Sequence, residues 1–219
     1  MKILAAAPDQ GGRYARPLGN RLLGMLGATP WPLEHPEALA TPGFKVLHDC
    51  DFDFRSHHVA FEDYLDELRA FSEAHPKHVP IFVTMNIKQG SQGIPGTVDG
   101  PEFHAEAFRE LDRLVAARLQ GRLITPDLVR GDAESLQQAV LSRGWPQVDE
   151  VRGRYLFLLD ASGATRGRYL RAFPRLRGAT YFTVERANDP NAAFFIVNDI
   201  DGDEGNAVIE QKFFCFQAA

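Results

Sequence analysis

The feature that most constrains this chain is a repeated alternation of short apolar runs with longer amphipathic ones. Runs rich in aliphatic and aromatic residues predict strands at Lys2–Ala7, Lys45–His48, Pro80–Ile87, Arg154–Asp160, Thr180–Val184 and Ala192–Val197. Between them, Phe61, Leu65, Leu68 and Phe71 share one helical face, and Pro76 helps to end that helix. Phe103, Phe108, Leu111, Val115 and Leu119 do the same after Pro101, which suits a first-turn position. A third helix is expected to start near the cap Asp132, to carry Leu136, Val140 and Leu141 inward, and to stop at Gly144. Such a βα series is the pattern of an α/β protein with a parallel sheet covered by helices.

Length sets the next limit. The 219 residues, 44% hydrophobic and 24% charged, suffice for one sizeable core and are read as a single domain over residues 1–219. A complete eight-fold βα barrel takes about 250 residues, so the expectation is a partial (βα)8 TIM-type barrel. The net charge of -5 comes from interspersed acids and bases without a basic stripe, which disfavours nucleic acid as a partner. No apolar run approaches the roughly 20 residues of a transmembrane segment. Met1–Ala7 resembles the start of a secretory leader, but Pro8 and Asp9 end it, so the chain as translated is read as cytoplasmic. Cys50 and Cys215 form no CxxC or zinc spacing.

The run Lys45–Ser56 concentrates the polar chemistry. An apolar segment ends in His48, Asp49, Asp51, Asp53 and Arg55, and barrel enzymes display catalytic groups at the carboxyl ends of strands. Taken alone, His48 is either catalytic or a hydrogen-bonded structural residue, and the acids with Arg55 are either a substrate-handling group or an ion-paired loop. His57 and His58 at a helix start, His75 and His78 around Pro76, and the isolated His35 and His104 are read as structural or surface residues. The turn-rich segment Gln89–Thr97 either lies over a barrel mouth or is a plain surface loop. In the tail, Asp199, Asp201, Asp203 and Glu210 match positions of an EF-hand loop, but Glu204 stands where such a loop needs Gly. An acidic turn is the expectation there.

Together with Gly11-Gly12-Arg13-Tyr14-Ala15, Ala74-His75-Pro76-Lys77-His78-Val79-Pro80-Ile81 and Gly121-Arg122-Leu123-Ile124-Thr125-Pro126-Asp127, the His48 segment resembles the bacterial calcium-dependent phosphoinositide-specific phospholipase C family. The likeness runs from about Gly11 to Asn198 and includes Ala139–Pro146 and Val151–Asp160. It implies that the inositol 2-hydroxyl of a phosphoinositide attacks phosphorus and that His48 acts as general acid. Asp51 or Asp53 would orient the imidazole, and Arg55 and Lys88 would meet the phosphate. Calcium is the implied cofactor, and full-length relatives look secreted. Asn86 stands where the family carries a metal-binding Glu. The family's first histidine segment, of the His-Asn-Ser-Tyr-His type, and its Glu-x-Asp segment find no match, nor does its Arg-Thr-Arg-Ala-Asp-like strand.

Two classes of function follow from the resemblance. One is a phosphoric diester hydrolase of lipid metabolism, impaired in this chain, with transient contact to a membrane surface. The other is a non-catalytic remnant that binds an inositol phosphate, calcium or a protein partner.

Overall fold

The computed structural model describes residues 2–6, 18–32, 36–48, 50–87, 89–90, 94–97, 100–186 and 188–195. The expectations for Ala7, the Gly11–Ala15 segment, Asp49, Lys88, part of the 89–97 loop, Val197, the acidic tail and Cys215 lie outside these residues. The chain divides into two compact units, Met1–Ala74 with Met85–Gln120, and His75–Thr84 with Gly121–Ala219. No described helix is long and apolar enough to cross a membrane.

The first unit holds β1 (Lys2–Ala6), α1 (Leu18–Met25), α2 (Pro36–Ala40), β2 (Gly43–Val46), α3 (Phe61–Ala74), the last residues of β3 (Ile81–Ile87) and α4 (Ala105–Arg118). β1 pairs parallel to β3, with Ile3 opposite Ile87, and antiparallel to β2, with Ile3 opposite Val46 and Ala6 opposite Gly43. The antiparallel pair departs from the all-parallel order of a regular barrel. Apolar composition sets which runs are buried but not which way they point. The other side of β2 is also antiparallel, because the chain turns back so that the Val46 N–H donates to Val59 O at 2.8 Å.

In α3 the inward stripe is Phe61, Leu65, Leu68 and Ser72, a 3.6-residue progression that leaves Phe71 42% exposed. α4 starts later than Pro101 implies. Its N-cap is His104, and the buried Phe103 just before it packs on Phe108 in the first turns, ring centroids 5.4 Å apart. This hydrophobic staple, rather than a first-turn proline, fixes the entry angle. Phe103 also stacks on Phe44 of β2, tying helix to strand. Lys45, alternating with these core residues, is buried and donates to Pro42 O at 3.3 Å. Burial lowers its pKa, while Glu62 and Asp63 act in the opposite direction.

The second unit holds the start of β3, α5 (Pro126–Arg130), α6 (Leu136–Arg143), β4 (Tyr155–Asp160), α7 (Gly163–Ala172) and β5 (Tyr181–Thr183). β4 and β5 pair parallel from Phe157 opposite Tyr181 to Leu159 opposite Thr183. Five consecutive buried residues, Tyr155–Leu159, show that both faces of β4 are covered, as expected of a parallel strand. Of the expected strand at Ala192–Val197, the described residues 192–195 show a single parallel bridge, Phe194 to Val184.

α6 begins at Ser135, whose hydroxyl accepts from the Gln138 N–H at 3.0 Å. Asp132 is not the cap: its carboxylate faces Arg143 at 3.0 Å. Leu136 and Ala139 point inward, whereas Leu141 is 56% exposed. The turn before β4 is set by Gly153, with φ +72°, where a Cβ would lie 2.4 Å from Pro76 O. Its N–H donates to His78 O at 2.8 Å, and the Ile81 N–H donates to Arg154 O at 3.1 Å.

Candidate functional site

The chain leaving β2 is pinned at two points. Leu47 and Phe54 are both buried in one apolar cluster with Leu39 and Val59, while His48, Phe52 and Asp53 between them are exposed. His48 Nδ1 lies 2.6 Å from Asp53 Oδ2. A carboxylate accepts only from a protonated ring nitrogen, which assigns the proton to Nδ1 and leaves Nε2 facing away from that bond. Orienting an imidazole in this way is a recurring arrangement in acid–base sites.

Of the two aspartates named as alternatives, Asp53 therefore contacts the ring. Asp51 is 1% exposed and accepts the Leu18 N–H at 2.9 Å, while its carbonyl accepts the Gly19 N–H at 3.0 Å. It satisfies free donors at the start of α1. Its negative charge suits the positive end of that helix. Gly19 permits this approach, since a Cβ there would stand 2.8 Å from Asp51 O. Arg55 is exposed on the same segment, next to the buried Phe54.

Asn86 is half-buried in β3 opposite Lys2. Because Val46, Ile3 and Ile87 form one row across the first unit, the end of β2 leading to His48 and the end of β3 carrying Asn86 lie at the same edge. Their backbones are two strand spacings apart there, about 10 Å. Lys88 lies outside the described residues.

The second unit has a polar group that sequence reasoning did not single out. Just past β5, Glu185 has a fully buried side chain that receives the Thr183 hydroxyl at 2.7 Å and lies 3.0 Å from Arg166 Nη1. Burial holds its carboxyl above the usual carboxylate range, with the Thr183 hydrogen bond and Arg166 opposing and Asp189 adding to the rise. A Glu following a short strand carries no sequence signal that separates it from a solvated turn. The segment Gly121–Gly131 is structural: Thr125 caps α5, and Asp127 pairs with Arg130 and accepts the Gly178 N–H at 2.7 Å.

The described residues thus define a mixed α/β protein with parallel strand pairing and a His–Asp couple just past a strand end. The chain belongs to the phosphoinositide phospholipase C family, Ca2+-dependent, whose model matches residues 3–215. The fold is similar to that of a Ca2+-dependent phosphatidylinositol-specific phospholipase C from Streptomyces antibioticus, at 22% identity and TM-score 0.50 over 70% of this chain and 57% of that one. It is similar also to a calcium-dependent phosphoinositol-specific phospholipase C from a Pseudomonas species in its apo form, at 21% identity and TM-score 0.51 over 86% of this chain and 67% of that one. The chain therefore spans a little over half of the Streptomyces structure. No curated protein matches it.

The described residues near His48 do not fit the calcium that the family implies. Calcium takes several hard oxygen ligands, carboxylates among them. Near His48, Asp51 is committed to the α1 backbone, Asp53 to the imidazole, and Asn86 brings no charge.

Proposed function

We propose that this chain is a phosphoric diester hydrolase of the phosphoinositide phospholipase C type, with His48 as general acid and Asp53 as the carboxylate that orients it. The observation that supports this most is the 2.6 Å contact between His48 Nδ1 and Asp53 Oδ2. With Nδ1 held, Nε2 carries the transferable proton. The inositol 2-hydroxyl gives its proton to solvent water as its oxygen attacks phosphorus, the bond from phosphorus to the diacylglycerol oxygen breaks, and that oxygen takes the Nε2 proton. Such a transfer contributes roughly 10²–10⁴-fold in rate. Arg55 offers a fork of donors for a phosphate oxygen and Lys88 a further cation. Asp51 positions the loop through α1.

The fold that accompanies this reading is a partial (βα)8 barrel, supported by the parallel pairs and by the similarity in fold to the two phospholipases. The lipid substrate calls for transient contact with a membrane surface, for which Met25 and Leu26 at the end of α1, 83% and 82% exposed, supply apolar area. Among the described residues near His48, Asp51 and Asp53 are engaged by protein groups and Asn86 is uncharged, so on this reading calcium-dependent cleavage is slow or nil. Engagement of Asp51 and Asp53 by protein groups favours, as second reading, binding of an inositol phosphate without turnover.

The test is release of cyclic inositol phosphate from phosphatidylinositol vesicles by the purified chain. Weak activity abolished by His48→Ala and reduced by Asp53→Asn supports the first reading. Binding of inositol phosphate without release supports the second. Calcium-dependent release at rates typical of the family would overturn the impairment.

A further inference from the structure

Where β2 hands over to α3, two adjacent imidazoles converge on one carboxylate. His58 Nε2 lies 3.0 Å and His57 Nε2 3.9 Å from the same Oε2 of Glu67. The ligand atoms of all three side chains fall within 4.8 Å of one another, and no other group of three or more His, Cys, Asp and Glu does so among the described residues. The arrangement is held from behind. Tyr64, one helical turn before Glu67 on α3, accepts the His58 N–H at 3.2 Å and shares a hydrogen bond with the Ser56 hydroxyl at 2.9 Å. The His58 ring packs edge-on against Tyr64 at 5.0 Å, and His57 packs against His58 at 4.5 Å.

We propose that His57, His58 and Glu67 form a site for a divalent transition ion of the zinc class, separate in chemistry from the calcium that the family implies. The two rings meet edge to face at 4.5 Å, and the Nε2 atom of each lies near the same Glu67 oxygen. A cation that accepts two nitrogens and one oxygen fits that convergence. Two His and one Glu with a fourth position open to water is a known zinc donor set. Calcium prefers oxygen alone and is poorly served by it.

The geometry requires little movement. Zinc bonds of about 2.0–2.1 Å in a tetrahedron place ligand atoms about 3.4 Å apart, against the 3.0 and 3.9 Å separations to Glu67. His57 is 72% and Glu67 56% exposed at the side chain, so both turn freely while Tyr64 holds His58. A bound ion would fasten the segment leading from His48 to the first turns of α3.

Calorimetry on the chelator-stripped full chain with Zn2+ tests this directly. One equivalent is expected to bind, with Co2+ giving the intense visible bands of low coordination and millimolar Ca2+ failing to compete. His57→Ala and Glu67→Gln are each expected to lower affinity by at least 10–100-fold, roughly the loss that outer-shell partners alone produce. Both positions are exposed, so these variants keep the fold by circular dichroism, and His48→Ala retains full zinc affinity. Absence of binding, binding untouched by His57→Ala and Glu67→Gln, loss with His48→Ala, or displacement by Ca2+ would each overturn the assignment.

Discussion

At the scale of single residues, this molecule's buried charges respond to pH in ways that can be worked out. Glu185 has its carboxyl raised above the ordinary 4.5 by burial. Between 4.5 and that raised value the native state binds more protons than the unfolded state. Its contribution to stability is therefore fully present below 4.5 and is lost as pH rises through the folded value. Glu185→Gln keeps an acceptor for the Thr183 hydroxyl and removes the titration. The urea midpoint of the wild type minus that of the variant should fall as pH climbs from 4 to 7.5; a difference that stays level or climbs would refute the assignment. His48 with Asp51 or Asp53 was legible as an imidazole and acids past a strand end, but the sequence did not choose between the two acids, and the 2.6 Å contact is with Asp53. The pairing of His57 and His58 with Glu67 was not, because it needs a loop to fold back on a helix that begins at Phe61.

At the scale of elements, five of the six expected strands agree with the described ones to within one or two residues, because runs such as Tyr155–Leu159 are apolar throughout, whereas Ala192–Val197 shows only the Phe194 bridge among its described residues. Helix starts were read less well. Both Asp132 and Ser135 are good caps by residue type, and only the competing partner of Asp132, Arg143, leaves the task to Ser135. Ser135→Ala should destabilise the chain by about 1 kcal/mol, whereas Asp132→Ala, removing an exposed ion pair, should cost a few tenths at most. Chemical denaturation of the two variants side by side would decide between them, and the reverse order would restore Asp132 as the cap. α7 escaped notice since its GATRGRYLRA sequence carries two glycines and little amphipathic pattern. It is held instead by Tyr169, whose hydroxyl accepts the Tyr181 N–H at 3.2 Å. The antiparallel pairing of β1 with β2 lay beyond composition altogether.

At the scale of the whole molecule, the two units are interleaved in sequence: His75–Thr84 belongs with Gly121–Ala219. A piece comprising only residues 121–219 would lack the partners of Gly153 and Arg154, so their hydrogen bonds to His78 and Ile81 could not form. Such a piece is expected to show little native circular dichroism and no cooperative melt, and adding residues 75–84 as a separate peptide should restore part of the signal. A cooperative melt of the 121–219 piece alone would show that the segment is dispensable.

The tight fit of Gly153 against Pro76 has a consequence in time. Lys77 and the arginine that grips its carbonyl are 75 positions apart. At 5–20 residues per second on a ribosome, roughly 4–15 s pass between the emergence of one side of this contact and the other. During that wait Ile81, Phe82 and Val83 have no β4 to pair with, and an unpaired apolar strand is a template for any neighbouring chain. Yield from cells should therefore depend on chaperone supply and on growth temperature more than the stability of the finished molecule would suggest.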